Sequence, residues 1–208
     1  MRMSYPGRIL ALLAGMVAAA LAIAAYAGGY AGGASPRPAP AAATFPGASA
    51  DRVFLSRADQ MEAARRGLLP PGTRSVIKTG ALKHGEWRWD DIGVPRGVVT
   101  VRVDPARQLV SVFRGPDEIG TAVILYGALG KETPRGRHPI LGKSRDHHSR
   151  AYDAPMPYSL WLTRDGVAIH GSSVTMGRAT NGCIGVPVEF AAKLFAVTRK
   201  GDIVTVLA

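Results

Sequence analysis

The sequence predicts a mostly β domain of the β-rich α+β class, and three observations predict it. Its 208 residues include 25 Gly and 15 Pro but only 7% aromatics, which favours short strands joined by tight turns. Apolar and polar residues alternate in several runs after Gly97. One segment near the C-terminus carries the i, i+3, i+4, i+7 apolar spacing of an amphipathic helix. With 47% hydrophobic and 20% charged residues, the chain can build a packed core.

Residues 1–27 read as a signal peptide or a signal anchor. Arg2 and Arg8 precede an apolar run from Ile9 to Ala27, and Ala25-Tyr26-Ala27 fits an Ala-x-Ala cleavage pattern. The run is 19 residues long, nine of them alanine, so it barely reaches bilayer-spanning length and is weakly apolar. Either reading exports the rest, to a periplasmic or cell-wall location, with residues 9–27 as a membrane anchor if cleavage fails. Residues 28–50, rich in Gly, Ala, Pro and Ser with Arg37 as the lone charge, read as a flexible tether without core-forming capacity.

Residues 51–96 form an N-terminal extension. Within it, residues 56–67 read as a short helix stopped by Gly67 and Pro70-Pro71. Trp87 and Trp89 alternate with charged residues as an edge strand or a packing flap.

From Gly97 the pattern changes. Val99, Val101 and Val103 form one strand, turned at Asp104-Pro105, and Leu109 to Phe113 form a second, turned at Arg114 to Asp117. Thr121 to Tyr126 is a third, more continuously apolar and so more central. Trp161-Leu162 and Val167 to Ile169 continue the β pattern around an Arg164-Asp165-Gly166 turn. This close spacing argues for antiparallel pairing. A helix then has Pro187 in its first turn, with Val188, Ala191, Ala192 and Phe195 on one face. Arg199 and Lys200 complement its C-terminus and Gly201 closes it, before a last strand from Ile203 to Leu207.

The composition also excludes. A single cysteine rules out an intramolecular disulfide framework and any Cys-cluster metal site. Asp146-His147-His148 lies in a charge-dense stretch, Lys143 to Arg150, that reads as a solvated loop without a further spaced ligand, so no metal is expected. No phosphate-binding Gly-rich loop with its Lys-Ser/Thr pair occurs, and no cofactor is expected. The net charge of +11 points to anionic partners, and export turns that from nucleic acid toward an anionic cell envelope.

One pair of residues carries chemistry. Cys183 lies in Ala179-Thr180-Asn181-Gly182-Cys183-Ile184-Gly185, where flanking glycines suit an exposed loop with converging backbone N–H groups. Thirteen residues upstream, His170-Gly171 ends an apolar strand, well placed to face a cleft. A free thiol is mostly protonated at neutral pH, and a nearby imidazole can take its proton and later give it to a leaving amine. The following helix begins too far from Cys183 for its dipole to dominate, so His170 is assigned the activation and is the only local base expected. The N–H groups of Gly182 and Cys183 are the candidate oxyanion hole. Taken singly, a lone cysteine is more often a small buried hydrophobe and a lone histidine more often structural.

Together these residues resemble a known signature. His170-Gly171, a short spacer, then Thr180-Asn181-Gly182-Cys183 and a hydrophobic residue resemble the active-site motif of L,D-transpeptidases with a YkuD-type catalytic domain. Gly127 to Gly136, with Thr133-Pro134-Arg135-Gly136, resembles that family's glycine-rich segment, and Met156-Pro157-Tyr158 its Met-Pro-Tyr segment. The resemblance covers about 97–208. It implies a YkuD-like mixed β-sandwich with one C-terminal helix before the last strand. It implies that Cys183 attacks a peptidoglycan stem tetrapeptide and expels D-alanine, leaving a thioester that an amine of another stem resolves as a 3→3 cross-link. His170 would be base and acid, with the Gly171 backbone carbonyl as third member orienting the ring. Tyr158 and Asn181 would border the substrate. Asn181 stands where the family often has a second histidine, and Gly185 where it often has arginine, a cationic role that Arg135 or Arg178 would then fill. Two alternatives stay open: an L,D-carboxypeptidase hydrolysing the same thioester, and a non-catalytic peptidoglycan-binding module.

Overall fold

The computed structural model describes residues 45–208. The expected signal segment and residues 28–44 of the expected tether lie outside them.

The fold is mostly β, built on two sheets. The larger contains β1 (Arg52–Phe54), β2 (Ser75–Ile77), β3 (Trp87–Trp89), β4 (Val99–Asp104), β5 (Leu109–Arg114), β6 (Asp117–Val123), β7 (Gly136–Pro139) and β12 (Ile203–Val206). Its order is β1-β2-β6-β5-β4-β12-β7, with β3 also paired to β6. The smaller contains β8 (Gly142–Ser149), β9 (Ala154–Trp161), β10 (Ala168–Gly171) and β11 (Ile184–Val186), in the order β11-β10-β9-β8. The helices are α1 (Arg57–Arg65) and α2 (Val188–Val197).

The β4-β5-β6 meander follows from alternation. Val99, Val101, Val103, Val110 and Val112 all turn into the core. The continuously apolar third strand is central as expected: all seven residues of β6 are buried. It starts earlier than the pattern suggests, at Asp117, because Gly115-Pro116 alone turns the chain. It also leaves the sheet earlier, and Leu125 instead bridges Gly185 beside the smaller sheet. That crossing ties the two sheets together next to the cysteine loop.

Pairing is mixed rather than antiparallel throughout. The pairs β4–β12, β2–β6 and β10–β11 are parallel. The charge-dense stretch 143–150 is not a solvated loop. Residues Gly142–Ser149 form β8, held along its length by antiparallel β9. Backbone pairing, which side-chain polarity does not report, makes this strand.

The end of α2 also differs. Pro187 is the N-cap rather than a first-turn residue, and the helix stops at Val197, so Arg199 and Lys200 lie beyond it. The cation at its C-terminus comes from β8 instead: Lys143 Nζ donates to the carbonyls of Phe195 and Thr198 and sits 4.1 Å from the Phe195 ring centre. The other face of α2 buries Phe190, Ala191 and Leu194, with Trp87 and Trp89 edge-on to Phe190.

The N-terminal extension is woven into the larger sheet through β1, β2 and β3. Ser56 caps α1 by accepting from the Asp59 N–H. Phe45, at the end of the expected tether, is 7% exposed, stacks edge-on against Phe54 and lies under the guanidiniums of Arg52 and Arg74. At least this residue of the tether therefore contributes to the core.

Candidate active site

Strands β10 and β11 run parallel, with Ile169 opposite Ile184 and His170 opposite Gly185. Ile169 and Ile184 are buried, so the residues on either side of them in each strand point to the opposite face. Cys183, two residues before Gly185, therefore shares a face with His170. Two residues along a strand and one strand across separate their Cα atoms by about 8 Å, a gap that an imidazole and a thiol span together.

Each group also has its own partner. The imidazole Nδ1 lies 2.9 Å from the Gly171 carbonyl oxygen. As donor in that bond, Nδ1 carries the proton and leaves Nε2 as the basic nitrogen. The thiol lies 3.8 Å from the Gly166 carbonyl and receives the Ala168 N–H. Among the described residues, the thiol has no direct hydrogen bond to His170.

Burial dominates both titrations. It pushes the Cys183 thiol above its ordinary range, with the Ala168 N–H opposing, and holds His170 below the ordinary imidazole value, with the Gly171 carbonyl opposing. The resting pair is therefore a neutral thiol beside a neutral imidazole. Alkylation of Cys183 by iodoacetamide should climb with pH, its midpoint above the ordinary thiol value of about 8.5. A plateau near neutral pH would instead reveal a thiolate–imidazolium pair.

The cysteine loop is held by the glycine-rich segment. Thr180 exchanges backbone bonds with Tyr126 and Ala128, and its hydroxyl donates to the Cys183 carbonyl. Gly182 adopts φ +108°, open to glycine and costly for other residues, and packs near the carbonyls of Lys131 and Glu132. Among the described residues, the N–H groups of Gly182 and Cys183 donate to no protein acceptor. Gly127 accepts no side chain: a Cβ there would sit 2.0 Å from the Lys131 carbonyl oxygen, while its N–H donates to the buried Thr133 hydroxyl. Gly127→Ala should therefore lower stability by about 1–3 kcal/mol, read as a shift of the denaturation midpoint.

The remaining expected residues are dispersed. Tyr158 packs its ring on Phe195, with Arg145 over it, and neither is an expected site residue. Pro157 is the neighbour of Gly171 instead. Asn181, Arg178 and Arg135 are exposed on the two loops. The space at Gly185 accounts for its lack of a side chain: a Cβ would lie 3.1 Å from that of Ser172 and 3.4 Å from that of Leu125.

His170 is not the only local base. His147 on β8 is close enough for its charge to lower the His170 pKa, and its ring meets Trp161 edge to face at 4.8 Å. Register alone puts His147 opposite Met156 and Trp161 opposite Gly142, five residues apart on β9 and so on opposite faces. Tyr158, between Met156 and Trp161 on β9, has a left-handed backbone, φ +57°, and no sequence signal marks the His147–Trp161 contact. Among the described residues, no group of three or more His, Cys, Asp or Glu could hold a metal ion.

This β scaffold, with a histidine on one strand and a cysteine immediately before its parallel neighbour, defines a class that comparison with known proteins identifies. The family model of the YkuD L,D-transpeptidase catalytic domain matches residues 98–206, over half of the chain and including His170 and Cys183. The chain belongs to that family. Among solved structures, the fold is similar to an L,D-transpeptidase from Stackebrandtia nassauensis, at 24% identity and TM-score 0.50, over 55% of this chain and 57% of that one. An L,D-transpeptidase from Mycobacterium smegmatis matches at 21% identity and TM-score 0.49, over 53% and 58%. The chain thus spans somewhat over half the length of these solved chains. A search of curated proteins finds no match.

Proposed function

We propose that this protein is a peptidoglycan L,D-transpeptidase in which Cys183 is the nucleophile. The observation that carries the reading is the shared face of His170 and Cys183 within the stretch that matches the family. Substrate binding turns the thiol toward Nε2 of His170, which takes its proton as sulfur attacks the carbonyl preceding the terminal D-alanine of a stem tetrapeptide. The tetrahedral oxyanion is received by the N–H groups of Gly182 and Cys183, which lack protein acceptors among the described residues. The imidazolium returns the proton to the departing D-alanine amine, and a thioester remains. The amine of a second stem attacks the thioester, the thiol re-forms and the two stems are joined. The hydrogen bond from Nδ1 to Gly171 holds the ring through both transfers without adding a charge.

The expected setting is outside the cytoplasm, in the periplasm or cell wall, with the N-terminal apolar run as signal or anchor. Asn181, Arg178 and Arg135 rim the loops where a stem peptide would lie. Incubation of the purified protein with tetrapeptide stems should release D-alanine and yield cross-linked dimers. Free tripeptide without dimer would mean that water resolves the thioester, as in an L,D-carboxypeptidase. Release of neither product, with sacculus binding unchanged in Cys183→Ala, would leave a binding module.

A further inference from the structure

A second feature lies at the far end of α2. The start of this helix packs on Gly171, beside His170. Eight residues on, roughly 12 Å along the axis, Ala196 and Val197 line a groove of about 840 Å³. Its other lining residues are Arg96 to Val99, Arg114, Arg199 and Asp202, and none belongs to the His170–Cys183 site. Three arginines from three separate segments thus line one concavity. Arg114 is paired with Asp91. Arg96 and Arg199 are exposed and have no carboxylate partner among the described residues. The one acid in the groove, Asp202, is engaged locally, accepting from the Arg199 backbone N–H at 2.7 Å.

We propose that this groove binds a phosphodiester polymer, with Arg96 and Arg199 gripping successive phosphates. A guanidinium is a planar fork of donors that fits a phosphate with two parallel hydrogen bonds. The forks are exposed and come from separate segments, so each contact is weak and screened by salt. A ligand repeating its charge along a chain can engage several at once, whereas a single small anion cannot. The site is recessed, which admits a strand and keeps a flat bilayer from reaching its floor. The chain's net charge of +11 favours encounter with any polyanion, and the groove sets two arginines without carboxylate partners among the described residues at one recess.

The test is titration of the purified protein with poly(glycerol phosphate), poly-L-glutamate of similar length and phosphatidylglycerol vesicles. Wild-type protein should bind poly(glycerol phosphate) more tightly than polyglutamate, and the binding should fade as salt rises. Arg96→Gln/Arg199→Gln should weaken it by about tenfold. Removing the same charge from α1 and its C-cap, with Arg57→Gln/Arg66→Gln, should leave it within about twofold. Equal loss in both double variants would reduce the effect to net charge and overturn the assignment. So would equal affinity for polyglutamate, or a groove variant that impairs only vesicle binding. Binding should be the same in Cys183→Ala, so this result and the transpeptidase reading stand or fall separately.

Discussion

Replacing His170 with glutamine is expected to slow acylation of Cys183 by a stem tetrapeptide by about 10²–10⁴-fold, the range for loss of a positioned general acid–base. The resting thiol is protonated, because burial raises its pKa. Attack therefore depends on a base that is free when substrate arrives. Burial keeps His170 unprotonated to lower pH than a free imidazole, and its Nδ1 bond to Gly171 assigns the lone pair to Nε2. Glutamine can retain a hydrogen bond in that place but cannot carry a proton between sulfur and the leaving amine. The acid limb of the wild-type rate profile, which reports protonation of His170 and lies below about pH 6.5, should vanish in the variant. Alkylation by iodoacetamide at high pH, which needs no base, should change little. Rapid-quench mass measurement of acylation across pH checks both points.

The second large effect concerns stability. Arg52→Met should cost about 3–5 kcal/mol, the range for removing one partner of a buried ion pair. The Arg52 side chain is fully enclosed. Its Nη1 donates to the Glu118 carbonyl and the Ser75 hydroxyl, and its Nη2 to the backbone and carboxylate of Asp90. These acceptors belong to β6, β2 and the segment after β3, so one side chain fastens β1 of the N-terminal extension to the rest of the larger sheet. Methionine fills much of the volume but leaves these acceptors buried without a donor. It also removes the cation that opposes the burial-raised pKa of Glu118. Urea denaturation, with midpoint and slope compared to wild type, measures the loss. Truncation before residue 97 should be at least as damaging, because β1, β2 and β3 are strands of the larger sheet.

The parts of the fold that could be read from sequence are those in which side chains repeat the geometry of the backbone. Val99 to Val103 and Val110 to Val112 alternate because one side of β4 and β5 is core; α2 itself was legible, but its buried stripe is Phe190, Ala191 and Leu194, not the expected Val188, Ala191, Ala192 and Phe195, and Val188 is exposed. β8 was hidden because its stabilising contacts are backbone bonds to β9, while most of its side chains are charged or polar. β9 was partly hidden because Pro155 and Pro157 argue against a strand interior. At the site, the glycines around Cys183 and the strand end at His170 pointed to two residues that the fold places on one face. His147 and Trp161 gave no such signal, since strand register sets them five residues apart along the β8–β9 pair. Within residues 45–96 the Trp87/Trp89 alternation and the short helix were legible, whereas the docking of β1 and β2 was silent, resting on Arg52 and Phe45, which sit in unremarkable sequence.

The central claim is that Cys183 takes up the acyl group. Intact-mass measurement of the purified protein after mixing with a stem tetrapeptide tests it directly. A transient gain equal to the tetrapeptide less D-alanine, present in wild type and missing in Cys183→Ala, is the outcome this account requires. An unchanged mass in wild type, or the same adduct in the alanine variant, would contradict it.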